Sequence, residues 1–398
     1  MKLNKIIVYL IFIILILGAL LPVASYLLMG ILIALLVAFR QEKIIWNHLL
    51  HNRILLVMII STVLSSLFSD LWYISIFFSI LYIMKILFCS IISCYLDEEH
   101  VDKIIFLLMC LGIIVSAIGI FQYFYFNGDM PKSWVDSNVY DIDFRAYSTF
   151  FNPNILAGFL NLTLLVGIVQ FESNKNNRNM IIAILCSVLS TSCLLLTYSR
   201  NGWLSLCISF VALSIINRKY IKYAVLFPVI FVIFDFLGDT GRLLPRNIVA
   251  DSSIEYRIKI WIAAIKILKD NLVLGIGPGT IWEQIPLYSN DLKAYISHVH
   301  NIYLQRLVDT GIIGLFCFVW FIKYLWSRIR EDVFNNLDIS IISLGFYVTL
   351  LGNGFFDAIC FQEQISVYVW TLIGINLAKT KSNRTVNEKH EEIQEKTC

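Results

Sequence analysis

Ile6 to Phe39 reads IIVYLIFIILILGALLPVASYLLMGILIALLVAF, without one charged side chain. A helix that crosses a bilayer uses about 20 residues, so this run is too long for one span and suits two short ones broken near Pro22. It therefore reads as a helical hairpin in lipid. Only helices and closed barrels satisfy their backbone groups in hydrocarbon, and the unbroken apolar runs lack the alternation of barrel strands. The rest of the chain agrees: of 398 residues, 58% are hydrophobic and 15% charged, whereas about a quarter are charged in soluble domains.

The expected fold is thus all-α, a polytopic integral membrane protein. Beyond the hairpin, apolar stretches follow at Ile54–Phe68, Leu71–Leu96, Ile104–Phe126, Phe150–Phe171, Met180–Tyr198, Gly202–Ile216 and Tyr223–Leu237. Three more, Ile302–Trp326, Ile339–Phe356 and Ile365–Ala378, bring the spans to about 12. Residues 1–378 form one membrane domain, and the charged tail 379–398 is expected to be disordered and cytoplasmic. No small-residue cleavage site follows the first run, so it is expected to stay as a span.

Lysine and arginine set the orientation. With the N-terminus in the cytoplasm, 19 basic residues fall inside, and the short outer loops hold three, Lys132, Arg145 and Arg200. The long loop is then external, with seven more. The net charge of +3, unclustered, excludes nucleic acid as a partner. The nine cysteines include no CxxC pair and all but Cys398 lie in or beside apolar runs, so a redox or cysteine-metal role is excluded.

The polar chemistry collects in residues 238–300 and just beyond. Ile254, Ile258, Trp261, Ile265 and Leu268 fall on one helical stripe, which marks an amphipathic helix lying along the membrane surface. Arg257 borders that stripe and has two readings, a guanidinium snorkelling to lipid headgroups or a planar clamp for a phosphate. Arg200 stands between two spans on the outer side, where a cation is disfavoured; it is either a headgroup contact or a functional group. The turn Gly275-Ile276-Gly277-Pro278-Gly279 lacks the Lys-Ser/Thr of a phosphate loop and reads as a sharp backbone reversal. His298 and His300 stand before a span. A metal site would need a third ligand, and Asp291 and Asp309 lack the spacing, so no metal is expected. An imidazole here either caps the next helix or takes a proton from a hydroxyl.

Taken together, Thr197-Tyr198-Ser199-Arg200, Arg257 with Trp261 ahead of the glycine turn, and His300-Asn301 followed after nine residues by Gly311-x-x-Gly314 resemble the O-antigen ligase and O-antigen polymerase (Wzy/WaaL-type) family. Arg145-Ala146-Tyr147-Ser148-Thr149-Phe150 with Asn152-Pro153-Asn154 is similar to that family's pattern too. The similarity spans roughly residues 140–360. It implies a GT-C-like, metal-independent, inverting glycosyltransferase of the bacterial inner membrane, without a cofactor and with its catalytic loop outside. The implied donor is an undecaprenyl-diphosphate-linked glycan and the acceptor a glycan or lipid A core. By the same resemblance Arg200 and Arg257 hold the diphosphate and His300 acts as base. Arg145, His298, Asn301 and Asp357 join them as substrate-binding candidates. The competing reading is a lipid-linked sugar transporter with Lys85 and Arg306 lining its path; against it, the halves do not repeat and the polar groups gather on one side.

Overall fold

The computed structural model describes residues 2–125, 131, 134–136, 138–173, 177–289, 291–292, 296–335 and 337–378, and among them every regular element is helical. The hairpin forms as read. Helix α1 (Lys2–Leu20) ends two residues before Pro22, which opens α2 (Pro22–Ala38) at the position where its missing N–H costs nothing. Then come α3 (Glu42–His51), α4 (Arg53–Leu67), α5 (Trp72–Tyr95) and α6 (Glu98–Tyr125). Helix α3, bent 105° from α2, was not foreseen. Its neighbours Arg40, Lys43 and Arg53 make the segment read as a loop, although Ile45 and Leu49 are buried on one face.

The central post is α7 (Pro153–Glu172). Asn152 caps it, accepting from Asn154 N–H at 2.8 Å, and residues 156–169 are buried on all sides. A helix apolar all round belongs in the middle of a bundle. It is enclosed by α6, α8 (Asn177–Leu196), α9 (Arg200–Ile216) and α15 (Asp338–Asn353). Lipid offers no hydrophobic drive between helices, so small residues and hydroxyls make the contacts. Ser209 Oγ donates to Gly345 O at 2.6 Å, and Thr163 and Ser190 hydroxyls meet at 3.0 Å. Helix α10 (Ile221–Leu237) lies against α9, and a last helix, α16, covers 363–378.

Seven helices are long and apolar enough to cross a membrane, or eight if the bent α2–α3 pair is one span; α4, α9 and α15 are apolar but shorter. Lys85 is buried and paired with Glu363 at 3.4 Å. Arg306 is stacked against Tyr82 and Phe361. No disulfide links the eight described cysteines. The tail 379–398, and Lys132, Lys175 and Lys293 of the charge reading, lie outside the described residues.

The long loop folds into α11 (Pro245–Ala250), α12 (Ser252–Asp270) and α13 (Ile281–Tyr288), followed by the 33-residue α14 (Ile302–Phe334). These elements have their own small core, where Ile260, Ala263, Ala264 and Ile267 of α12 meet Ile276, Ile281, Ile285 and Val299. The buried stripe of α12 is therefore a second one, beside the stripe expected to lie along the membrane. Ile258 and Ile265 are exposed. The helix is apolar on two faces, and the glycine turn and α13 cover the one set by Ile260 and Ile267.

That turn does more than reverse the chain. Helix α14 breaks at Gly311, whose φ of 63° and ψ of −167° suit glycine alone. The turn fills the break: Ile276 N–H donates to Val308 O at 2.9 Å, Gly277 N–H to Asp309 O at 3.0 Å, and Ile312 N–H to Leu272 O at 2.9 Å. Backbone runs against backbone here. A Cβ on Gly275 would stand 2.4 Å from Val308 O, and one on Gly311 2.1 Å from Val273 O. Gly311 and the turn are thus one clamp, and it fixes α12 relative to the start of α14.

Candidate functional site

Four separate segments meet at one end of the bundle: the stretch before α7, the α8–α9 turn, the long loop, and the α15–α16 connection. Each turn is forced. Phe151, Tyr198 and His300 all have left-handed backbone, with φ of 55°, 49° and 52°. Such residues are rare outside glycine and persist where surrounding structure holds them. They immediately precede Asn152-Pro153-Asn154, Ser199-Arg200 and Asn301.

The segments enclose a cavity of about 740 Å³ lined by Arg145, Arg242, Arg257, Asn154, Tyr256 and His300, among others. Arg145 is almost fully buried, and three of its five N–H groups donate to neutral acceptors: Thr197 O at 2.7 Å, Trp134 O at 2.8 Å and Asn154 Oδ1 at 3.0 Å. Arg242 follows a turn tied by Asp235, which accepts the N–H of Arg242 at 2.7 Å and of Leu243 at 3.0 Å. Its guanidinium donates to Tyr198 O at 3.0 Å and lies 4.5 Å from the Tyr140 ring centroid. Arg257 has a 3.4 Å contact with Ser253 Oγ, one turn back on α12. The Nε of both Arg242 and Arg257 is buried without a partner.

Among the described residues, no carboxylate forms a salt bridge with Arg145, Arg242 or Arg257. Burial pushes all three below the usual arginine range, Arg242 to about 10. The fields of the other arginines push Arg145 and Arg242 further the same way. They remain protonated at neutral pH. Asp136 and Asp251 also line the cavity, Asp251 being paired with Arg200, so three arginines without a salt bridge leave it net positive, and guanidinium forks match phosphate oxygens.

Arg200 is different. Its Nη2 is in a salt bridge with buried Asp251, the residue that caps α12, and its Nη1 donates to Tyr140 Oη at 2.7 Å. It does not line the cavity. It stands behind the other three and ties the α8–α9 turn to the start of α12.

Beside the arginines, His300 Nδ1 and His298 Nε2 are each 3.3 Å from Asp357 Oδ1. Asp357 also accepts the Ala358 N–H at 2.8 Å, and Asn154 Nδ2 is 3.4 Å from its Oδ2. Burial alone would raise Asp357, but the two imidazoles outweigh it and hold the carboxyl well below its usual range. Burial lowers His300, with His298 and Arg257 adding to this while Asp357 pulls the other way. His300 is thus neutral near pH 7. With Nδ1 donating to Asp357, its Nε2 keeps a lone pair, and among the described residues that atom has no hydrogen-bond partner. This pairing can accept a proton at the cavity wall.

The structure brings Arg145, Arg257 and His300 to one cavity and places His298 and Asp357 directly behind His300. Asn301 is the cap of α14: its Oδ1 accepts from Tyr303 N–H at 3.0 Å and Leu304 N–H at 2.9 Å, while its Nδ2 donates to Phe355 O. The cap is therefore Asn301 and not a histidine. Asp357, not Asp291 or Asp309, is the carboxylate that completes a ligand-like trio with the two histidines. Two residues were missed. Arg242 lies where α10 ends, and Asp235 seven residues earlier is the signal that its turn is pinned. Asn154 joins Arg145, Ser199 and Asp357.

The family model described as O-antigen ligase matches residues 185–319. Over that stretch the chain is similar to the O-antigen ligase family. The matched stretch holds Arg200, Arg242, Arg257, His298, His300 and Asn301, whereas Arg145 and Asp357 lie outside it. Among curated proteins, none matches the chain. The family ties the chain to glycan transfer in a membrane setting.

Proposed function

We propose that the protein transfers an oligosaccharide from undecaprenyl diphosphate to a glycan acceptor on the outer face of the bacterial cytoplasmic membrane. The observation that carries this reading is the pairing, around one cavity, of three arginines that form no salt bridge among the described residues with an imidazole whose Nε2 is unoccupied. Arg145, Arg242 and Arg257 take the diphosphate, and Arg200 holds the two walls in place. His300 Nε2 takes the proton of the acceptor hydroxyl as its oxygen bonds to the anomeric carbon. The bond from that carbon to the diphosphate oxygen breaks, and undecaprenyl diphosphate leaves with the electron pair. Attack opposite the leaving group inverts the anomeric centre. Fixed guanidinium charges stabilise the departing anion in the role a divalent ion has elsewhere, so the step proceeds without metal.

Twelve crossings suit this reading. The seven long helices, α2, the three shorter apolar helices and α16 make that number if α3, α11, α12 and α13 stay at the surface. Alternation then puts residues 134–146, 197–200, 238–301 and 354–362 on one side, the external one by the charge rule. A GT-C-like arrangement fits this pattern. The acceptor is a repeat unit if the protein is a polymerase, our preferred version, or a lipid A core if it is a ligase.

The test is transfer by the purified protein in proteoliposomes supplied with lipid-diphosphate glycan. Polymer longer than one repeat, with release of undecaprenyl diphosphate, is expected from the parent. Arg257→Ala and His300→Ala should give little. Sugar movement across the vesicle without a new glycosidic bond would overturn the proposal in favour of a transporter.

A further inference from the structure

His298, His300 and Asp357 have a property that transfer does not use. His298 Nε2 and His300 Nδ1 each stand 3.3 Å from the same oxygen, Asp357 Oδ1, and the three donor atoms lie within 4.8 Å of one another. Zinc bonds of about 2.1 Å in tetrahedral geometry separate neighbouring ligand atoms by about 3.4 Å. Two edges of such a site are already the right length, and only the imidazole–imidazole edge has to close.

The outer partners are in place as well. Ser297 Oγ lies 2.9 Å from His298 Nδ1, and Asn154 Nδ2 faces Asp357 Oδ2 at 3.4 Å. Groups of this kind orient ligating imidazoles and carboxylates. The ligand set, two imidazoles and a carboxylate with a fourth position open, is the kind that zinc accepts. The neighbouring guanidiniums oppose a further cation, which makes binding reversible and not that of a resident ion.

We propose that this trio is an inhibitory site for zinc. The inhibition rests on the transfer chemistry above; the binding does not. An ion on His300 Nδ1 leaves the ring proton on Nε2, the atom at the cavity wall. The lone pair that would accept the hydroxyl proton is then gone, and no change in net protonation is needed.

The experiment is a calorimetric titration of the purified full chain with zinc chloride in detergent, alongside the transfer assay with and without zinc. One equivalent per chain is expected, displaced by a chelator, with transfer lost on saturation and restored on chelation. His298→Ala and Asp357→Asn should weaken binding by about a hundredfold or more, and Ser297→Ala, which keeps all three ligands, by about tenfold. No saturable binding, equal binding by parent and His298→Ala, or full transfer at saturation would overturn the proposal. Ser297→Ala guards against a ligand variant that fails to fold. The titration reads binding directly, so it judges the site even for a chain that transfers no glycan, a result that would sink the function and not the site.

Discussion

Arg257 on the surface helix α12 and Arg200 in the α8–α9 turn carry the same group in opposite electrical settings. Arg200 is spent inside the protein, on Asp251 and Tyr140. Arg257 has a weak contact with Ser253 and a buried Nε without a partner. The histidines repeat the contrast: both ring nitrogens of His298 have partners, Asp357 and Ser297, whereas His300 spends only Nδ1. In each pair one member is spent on the wall and the other, which lines the cavity, keeps an atom without a partner. A charge read from sequence does not say which is which, because the partner that spends it comes from a distant segment.

Substitution is the way to break this contrast. The largest expected effect is at His300: His300→Ala should cut transfer by about 10³-fold, measured as polymer formed per unit time, while His298→Ala stays within about tenfold. Equal losses would mean that the two rings are not distinct. Next, Arg257→Ala should lower kcat by about 10²-fold with little change in Tm, the range seen on removing one donor that stabilises a developing anion. Arg200→Ala should act mainly on folding, because it strands a buried carboxylate, a change that costs about 3 kcal/mol. Thermal unfolding in detergent checks this, and an unchanged Tm would refute the wall role. The smallest effect is on pH. Only neutral His300 accepts a proton, and burial sets its folded pKa below the ordinary value of about 6.5. The acid limb of transfer should therefore be centred below that value. Asp357→Asn removes the carboxylate that pulls this pKa up, so the acid limb should move lower still. A limb centred above the ordinary histidine value contradicts this assignment.

Much of the fold was legible because lipid makes hydropathy nearly decisive. The Pro22 break and the helix ends near Tyr95, Glu172 and Ile216 follow from charge and apolar run length alone, and the helix in the long loop from its 3.6-residue period. Helix α3 was hidden by Arg40 and Lys43, and the second apolar face of α12, set by Ile260 and Ile267, went unread because its partners come from the glycine turn and α13. The site was legible in its charged residues, Arg145, Arg257, His300 and Asp357. Its bookkeeping was not: Asp251 neutralises Arg200, Asp235 frees Arg242 by taking backbone N–H groups, and Asn154 joins the arginine wall to the carboxylate. These depend on contacts across as many as 203 residues of chain.

The central claim is tested most directly by binding of undecaprenyl diphosphate to the purified protein, compared between Arg257→Ala and Arg200→Lys. The expected result is a loss of about tenfold or more in affinity for Arg257→Ala, in line with a charge-assisted phosphate contact of about 1.5–3 kcal/mol, and near-parent affinity for Arg200→Lys, which keeps the charge beside Asp251. Equal weakening by both, or an Arg257→Ala variant that binds the diphosphate like the parent, would contradict the account.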